Sequence, residues 1–222
     1  MNGASTTSNS NNKTVYLIRH GQSTFNAAYA INKVDPWHFD ARLSELGQTQ
    51  ANDLAKHAEG LNVDLIISSP LTRALDTTRR GFSEVIKQKS IKVQVITYHS
   101  EHVATSDDNG RFRSHVEKEF PEFDLSHIQE RWWYMPEDVR TDEKIDPEEY
   151  FKTIGFKEPW EHLDKRIQQF KDYIMDRNES VIAVIGHSEF FHQLFEKKLP
   201  WFKNCQILKW NPFTNETEWV TN

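Results

Sequence analysis

Val15-Tyr16-Leu17-Ile18-Arg19-His20-Gly21-Gln22-Ser23-Thr24-Phe25-Asn26 is the stretch on which the fold of this chain turns. Val15 to Ile18 run without a charged or small polar residue, so they read as a short strand buried on both faces. Arg19, His20 and Gly21 follow at once. Open α/β sheets bind their ligands just past the carboxyl ends of the strands. A cation, an imidazole and a glycine thus stand where a ligand is expected. An isolated Arg-His pair would be an ordinary strand cap. Ser23 and Asn26 close behind make the run far more specific.

Three more strands end in a comparable way. Leu65-Ile66-Ile67-Ser68 reads as a second buried strand, with Ser69-Pro70 as N-cap and first-turn proline of a helix. That helix carries Leu71, Leu75, Thr78, Phe82 and Val85 as one stripe, with Arg73 in its first turn. A cation is out of place at an electropositive helix N-terminus, and a bound anion there explains it. A solvated arginine is the plain alternative, and it is the one expected for Arg79 and Arg80. Ile91 to Tyr98 alternates as a strand with one wet face, and Glu101 follows in a loop. Val181 to Ile185 has no alternation and reads as a central strand, followed by Gly186-His187-Ser188.

Helical stretches separate these strands. Ser44 caps one bearing Gly47, Ala51, Leu54, Ala55 and Ala58. Pro159 opens another bearing Leu163, Ile167, Phe170 and Ile174, and a Phe-rich helix runs to about Lys198. Asn204 to Trp210 and Glu216 to Val220 form a terminal hairpin or edge strands. Helical crossovers imply parallel strands, whose carboxyl ends share one edge. Arg19, His20, Arg73, Glu101 and His187 then converge. Two guanidiniums recognise a tetrahedral dianion. They also hold nearby imidazoles neutral, because like charge disfavours the protonated form. A neutral imidazole is a nucleophile, and a carboxylic acid protonates a leaving oxygen. Two histidines and a carboxylate could instead hold zinc or iron. Adjacent arginines oppose that, and the sequence has no His-x-x-x-His motif or cysteine pair, so no metal or other cofactor is expected.

Composition narrows the class. The 222 residues suit one domain, here 14–222, after a polar Asn/Ser/Thr tail over 1–13. Cys205 is the single cysteine, which fits a reducing, cytoplasmic setting. No apolar run is long enough for a membrane span. The net charge is −6, and Glu117 to Glu149 holds 12 acidic against 4 basic residues. The near-neutral remainder offers no basic face for a nucleic acid. Residues 102–158 read as an inserted lid, with Arg111 and Arg113 placed to meet an extra anionic group on the substrate. The loop holding Pro36, Trp37 and His38 is placed at the rim of the site.

Arg19-His20-Gly21 with Ser23 and Asn26, Leu43 to Gly47, Ser68 to Ala74, and His187 after the last long strand together resemble the histidine phosphatase superfamily, also called the phosphoglycerate mutase-like family. The resemblance covers residues 14 to about 210 and implies a three-layer α/β/α sandwich around a mostly parallel sheet. It makes His20 the phosphohistidine, places Arg19, Arg73 and His187 on the phosphate with help from Asn26, and makes Glu101 the proton donor. It gives Leu43 to Gly47 a structural role. Members of the glycolytic mutase branch carry Glu-Arg-x-Tyr-Gly at the acid, where this chain has Glu101-His102-Val103-Ala104-Thr105. Many members place Gly-Gly after the second histidine. Here Ser188-Glu189 stands there, and Glu189 either repels substrate or points away. The expected activity is a metal-independent phosphatase acting on a small phosphorylated metabolite. The alternatives are a mutase and a phosphate- or protein-binding module without turnover.

Overall fold

The computed structural model describes residues 13–221. The expected tail falls almost wholly outside the described residues. Lys13, its last member, is buried, and its Nζ donates to Ile174 O at 2.9 Å.

Six strands form one sheet: β1 (Thr14–Arg19), β2 (Leu65–Ser68), β3 (Val93–Val95), β4 (Val181–Gly186), β5 (Ile207–Trp210) and β6 (Thr217–Trp219). Their order is β3-β2-β4-β1-β5-β6. The first four are mutually parallel, β5 runs antiparallel to β1, and β6 antiparallel to β5. The terminal hairpin is thus an antiparallel edge on a parallel sheet.

The helices are α1 (Thr24–Asn32), α2 (Glu45–Ala58), α3 (Thr72–Gly81), α4 (Ser83–Lys89), α5 (Arg113–Glu119), α6 (Glu137–Thr141), α7 (Pro147–Thr153), α8 (Trp160–Met175) and α9 (Ser188–Leu194). Successive strand side chains point to opposite faces, and both faces of β1, β2 and β4 are covered. Val15, Leu17, Leu65, Ile67, Ile182 and Val184 pack with Leu163, Ile167 and Phe170 of α8 and Phe190 of α9. Ile18, Ile66, Ala183 and Ile185 pack with Leu54 of α2, Ala74 of α3 and Val85 of α4. These are the three layers. A third cluster joins Leu71, Leu75 and Val95 to Val116, Phe120, Trp132 and Trp133, so residues 102–158 have an apolar core of their own against α3.

Several boundaries differ from the sequence expectation: the Phe-rich helix ends at Leu194, the stripe from Leu71 to Val85 is split between α3 and α4, and two differences bear on the site. Helix α3 begins at Thr72, with Leu71 rather than Ser69 at its N-cap. Asp40, brought in from the loop before α2, receives the Thr72 N–H at 2.8 Å and does the capping. Strand β3 keeps only three residues of the alternating stretch, because the chain turns away at the sheet edge to carry Glu101 inward. The Leu43–Gly47 run proves structural. Ser44 Oγ accepts the Gly47 N–H at 3.1 Å, and a Cβ on Gly21 would lie 2.5 Å from Gly47 O. Only two glycines allow the loop after β1 to lie this close to α2.

Candidate active site

The carboxyl ends of the parallel strands are stitched together by backbone bonds. His20 N donates to Gly186 O at 3.0 Å, and Ser69 N donates to Ile185 O at 3.1 Å. The loops after β1, β2 and β4 therefore leave the sheet side by side. The His20 and His187 rings lie 5.2 Å apart. Arg73, on the first turn of α3, donates from Nε to His20 Nε2 at 3.2 Å. The predicted convergence of Arg19, His20, Arg73, Glu101 and His187 is what the structure shows.

His20 has a definable tautomer. Its Nδ1 lies 2.6 Å from Gly21 O, and a carbonyl can only accept, so Nδ1 carries the proton. Nε2 then holds a lone pair facing the Arg73 Nε–H. Burial, then Arg73 and Arg19, push the His20 pKa well below the usual histidine value. His187 is lowered likewise by burial, Arg73 and the other histidines. His187 Nε2 meets Ser69 Oγ at 2.8 Å, and Nδ1 has no partner among the described residues. His20 is only 3% exposed, more enclosed than an open pocket.

The two arginines are held differently. Arg19 is half-buried and donates from Nη1 to Phe202 O at 2.7 Å. Its Nε has no partner among the described residues. Arg73 is 1% exposed and donates from Nη1 to Asp107 O and from Nη2 to Asp108 Oδ1 at 3.2 Å. Burial and the neighbouring Asp108 raise the Asp107 pKa to about 8. The Ser106–Gly110 cluster is the predicted turn, but its partnership with Arg73 had no sequence signal.

Glu101 stands among these groups. Its Oε1 accepts from His102 N and Phe190 N, both at 2.9 Å, and its Oε2 accepts from Glu189 N at 3.1 Å. Those donors favour the anion, yet burial outweighs them, with Asp108 and Glu189 adding to it, and the pKa rises to about 7. A carboxyl with a pKa there is chemically able to give or to take a proton near neutrality. Glu189 points toward His102 Nδ1, 3.9 Å away.

Three sequence expectations change. Asn26 uses its Oδ1 to accept the Ser23 N–H at 3.2 Å and closes a capping box on α1, so only its amide nitrogen is left to meet a ligand. Arg111 donates to Asp40 at 2.8 Å and to Glu119 at 2.9 Å, and Arg113 pairs with Glu117 and Glu130. Both therefore carry a fastening duty within the segment that the sequence did not suggest. Arg79 is not simply solvated: it pairs with Glu122 and lies over the Phe120 ring. The rim loop does reach the site's surroundings, because Asp35 receives Ser106 N at 2.9 Å. A groove of about 1430 Å³ beside β3 includes Glu101 but not Arg19, His20, Arg73 or His187 in its walls.

Sequence reasoning missed three supports. Thr77 Oγ1 receives Gly21 N at 3.0 Å, Ser69 meets His187, and Asn204 Nδ2 donates to His20 O at 2.9 Å. Thr77 follows Arg73 by one helical turn, which was a usable clue; Asn204 gave none.

A parallel sheet whose strand ends gather two histidines and two arginines beside a carboxyl group defines a phosphate-handling α/β protein. The chain belongs to the histidine phosphatase superfamily, branch 1, whose profile matches residues 15–204. It is 35% identical over 120 residues to a probable phosphatase of Schizosaccharomyces pombe, a match spanning 53% of this chain and 54% of that relative. It is 29% identical over 215 residues to phosphoglycerate mutase-like protein 1 of Arabidopsis thaliana, covering 82% of this chain and 71% of the relative. The crystal structure of a putative alpha-ribazole-5'-P phosphatase from Escherichia coli superposes with a TM-score of 0.58 over 89% of each chain at 18% identity, a likeness of fold. No helix among the described residues is long and apolar enough to cross a membrane.

Proposed function

We propose that this chain is a metal-independent phosphatase that hydrolyses a small phosphomonoester through a phosphohistidine on His20. The observation that carries this reading is the His20 ring itself. Its proton is fixed on Nδ1 by Gly21 O, and its Nε2 lone pair faces Arg73 Nε at 3.2 Å. A phosphoryl group arriving at Nε2 takes over the Arg73 Nε–H as a donor to one of its oxygens. Arg19 and His187 supply further donors to the others.

In the first step Nε2 bonds to phosphorus, the phosphorus–oxygen bond to the alcohol breaks, and Glu101 gives its proton to the departing oxygen. In the second step water attacks phosphorus, Glu101 takes the water's proton, and the phosphorus–nitrogen bond breaks. The name of the fission yeast relative supports a phosphatase. His102 and Ala104, which stand where the glycolytic mutases carry Arg and Tyr to hold a substrate carboxylate, support it over a mutase. Residues 14–222 act as one catalytic domain in a cytoplasmic setting. Residues 102–158 serve as its lid, a role supported by the turn over Arg73 and its fastening to Asp35.

Labelled alkyl phosphate tests the reading. After a rapid quench, wild-type protein should retain acid-labile, base-stable label, and His20→Ala should retain none, with unchanged circular dichroism. Chelator should leave phosphate release intact. Label persisting in His20→Ala overturns the nucleophile. Isomerised phosphoglycerate with little free phosphate would make the protein a mutase. Tight phosphate binding with neither label nor release would make it a binding module.

A further inference from the structure

Beyond β3 the chain leaves the sheet, and the carbonyls of Tyr98, Ser100 and Glu101 lie outside any ladder. Arg166, on α8, collects all three. Nη1 donates to Tyr98 O at 2.7 Å and to Ser100 O at 2.9 Å, and Nη2 donates to Glu101 O at 3.3 Å. The remaining two donors grip Glu158, Nε to Oε1 at 2.8 Å and Nη2 to Oε2 at 2.7 Å. A guanidinium has five N–H donors in a rigid fork, and here all five are used.

Glu158 is equally committed. Its side chain is 0% exposed. Oε2 accepts Val103 N at 3.3 Å, Glu158 N donates to Val103 O at 2.8 Å, and Glu158 O meets His102 Nε2 at 2.8 Å. The pair therefore holds the backbone on both sides of Glu101. Helix α8 is itself fixed by Leu163, Ile167 and Phe170, which pack on the sheet.

We infer that Arg166, braced by Glu158, is a positioning residue for Glu101: it clamps the loop carbonyls so that the Glu101 carboxyl stays aimed at the phosphoryl-transfer centre. This rests on the proposed role of Glu101 as acid and base. Arg166 touches the backbone of Glu101 and not its carboxyl oxygens, so it takes no part in the chemistry. Its effect is geometric, and a displacement of about 1 Å in a reacting group can cost on the order of 10²-fold in rate. Lysine keeps the charge but lacks the planar fork, so it cannot hold three carbonyls and a carboxylate at once.

The test compares leaving groups. An alkoxide needs the proton from Glu101, and a nitrophenolate does not. Arg166→Lys should slow an alkyl phosphate by roughly 10–10²-fold and leave single-turnover nitrophenol release from nitrophenyl phosphate within about threefold of wild type. Glu101→Gln should show the same selectivity, with a loss of roughly 10²–10⁴-fold on the alkyl substrate. Adding Arg166→Lys to Glu101→Gln should then cost little more on that substrate. Glu158→Gln, which loosens the fork without emptying its volume, provides a second variant with the same expected pattern should Arg166→Lys fail to fold. Equal losses on both substrates, or full additivity with Glu101→Gln, overturn the positioning role while leaving the Glu101 assignment standing. If Glu101→Gln itself slows both substrates equally, the acid assignment fails and the inference falls with it.

Discussion

The strand-end centre and the 102–158 segment both set arginines beside carboxylates, with opposite results. In the segment, Arg111 and Arg113 are consumed by Asp40, Glu119, Glu117 and Glu130, and Arg131 donates to the carbonyls of Asp142 and Ile145. Their donors fasten a stretch of short helices and turns. In the centre, Arg19 is bound only through Nη1 among the described residues, and Arg73 turns its Nε to the nucleophile candidate. The parallel sheet satisfies the backbone there, so Arg19 keeps donors beyond Nη1, while Arg73 is braced by Asp107 and Asp108 and turns only its Nε to the imidazole. The contrast therefore lies in what each guanidinium faces: acids and carbonyls in the segment, and an imidazole lone pair or no partner in the centre.

The largest test of this contrast uses pH at the centre. Glu101 sits at about 7, raised mainly by burial and also by Asp108, so it is protonated below that pH and ionised above it. As the leaving-group acid, it should make kcat/KM for an alkyl phosphate fall as pH rises through about 7. Nitrophenyl phosphate should lack that fall. The depressed His20 pKa keeps the imidazole neutral below its ordinary titration range, so the one acid-side loss expected is that of the substrate dianion taking up a proton at about pH 6. An NMR titration of the free protein in which His20 takes up a proton at about 6.5 would show that it is not held neutral, and the centre would resemble an ordinary surface pair.

A smaller effect separates buried from exposed arginines. Hydrogen bonds to charged groups contribute about 1.5–3 kcal/mol, so Arg73→Ala should weaken phosphate inhibition by roughly 10–10²-fold. Arg80, paired with Asp76 near the surface, should change it by less than about threefold on substitution by alanine. Equal losses in an inhibition titration would erase the distinction.

The smallest effect belongs to the segment. Arg111→Ala strips a partner from Asp40, whose side chain is fully buried. Loss of about 1–3 kcal/mol of stability is expected, visible in denaturant melts, with KM for aryl phosphate unchanged. Arg113→Ala, at a more exposed pair, should cost less than about 1 kcal/mol. A selective shift in substrate preference without destabilisation would return these residues to substrate recognition and break the comparison.

Strands β1, β2 and β4 were legible because burial on two faces leaves uninterrupted apolar runs, as in Val181 to Ile185. The Arg19-His20-Gly21 and Arg73 landmarks were legible because backbone geometry at a strand end or helix start admits few residue types. The 102–158 segment was not, since its helices are short and its core forms only by packing on α3. Asn26 shows the same limit at one residue: only the fold reveals that its Oδ1 closes a capping box with Ser23, leaving the amide nitrogen as its one group for a ligand.

By itself, the sequence determined which strand ends carry arginine, histidine and carboxylate, because period and strand-end position are local properties of the chain. The tertiary structure alone decided how those groups are employed. Arg73 is braced by Asp107 and Asp108, Arg111 is spent on Asp40, and Arg166 spans from α8 to the loop of Glu101. Each of these pairings joins residues distant in sequence or on separate elements. A hydrogen bond depends on direction and on distances of a few ångströms, which local patterns of polarity do not encode.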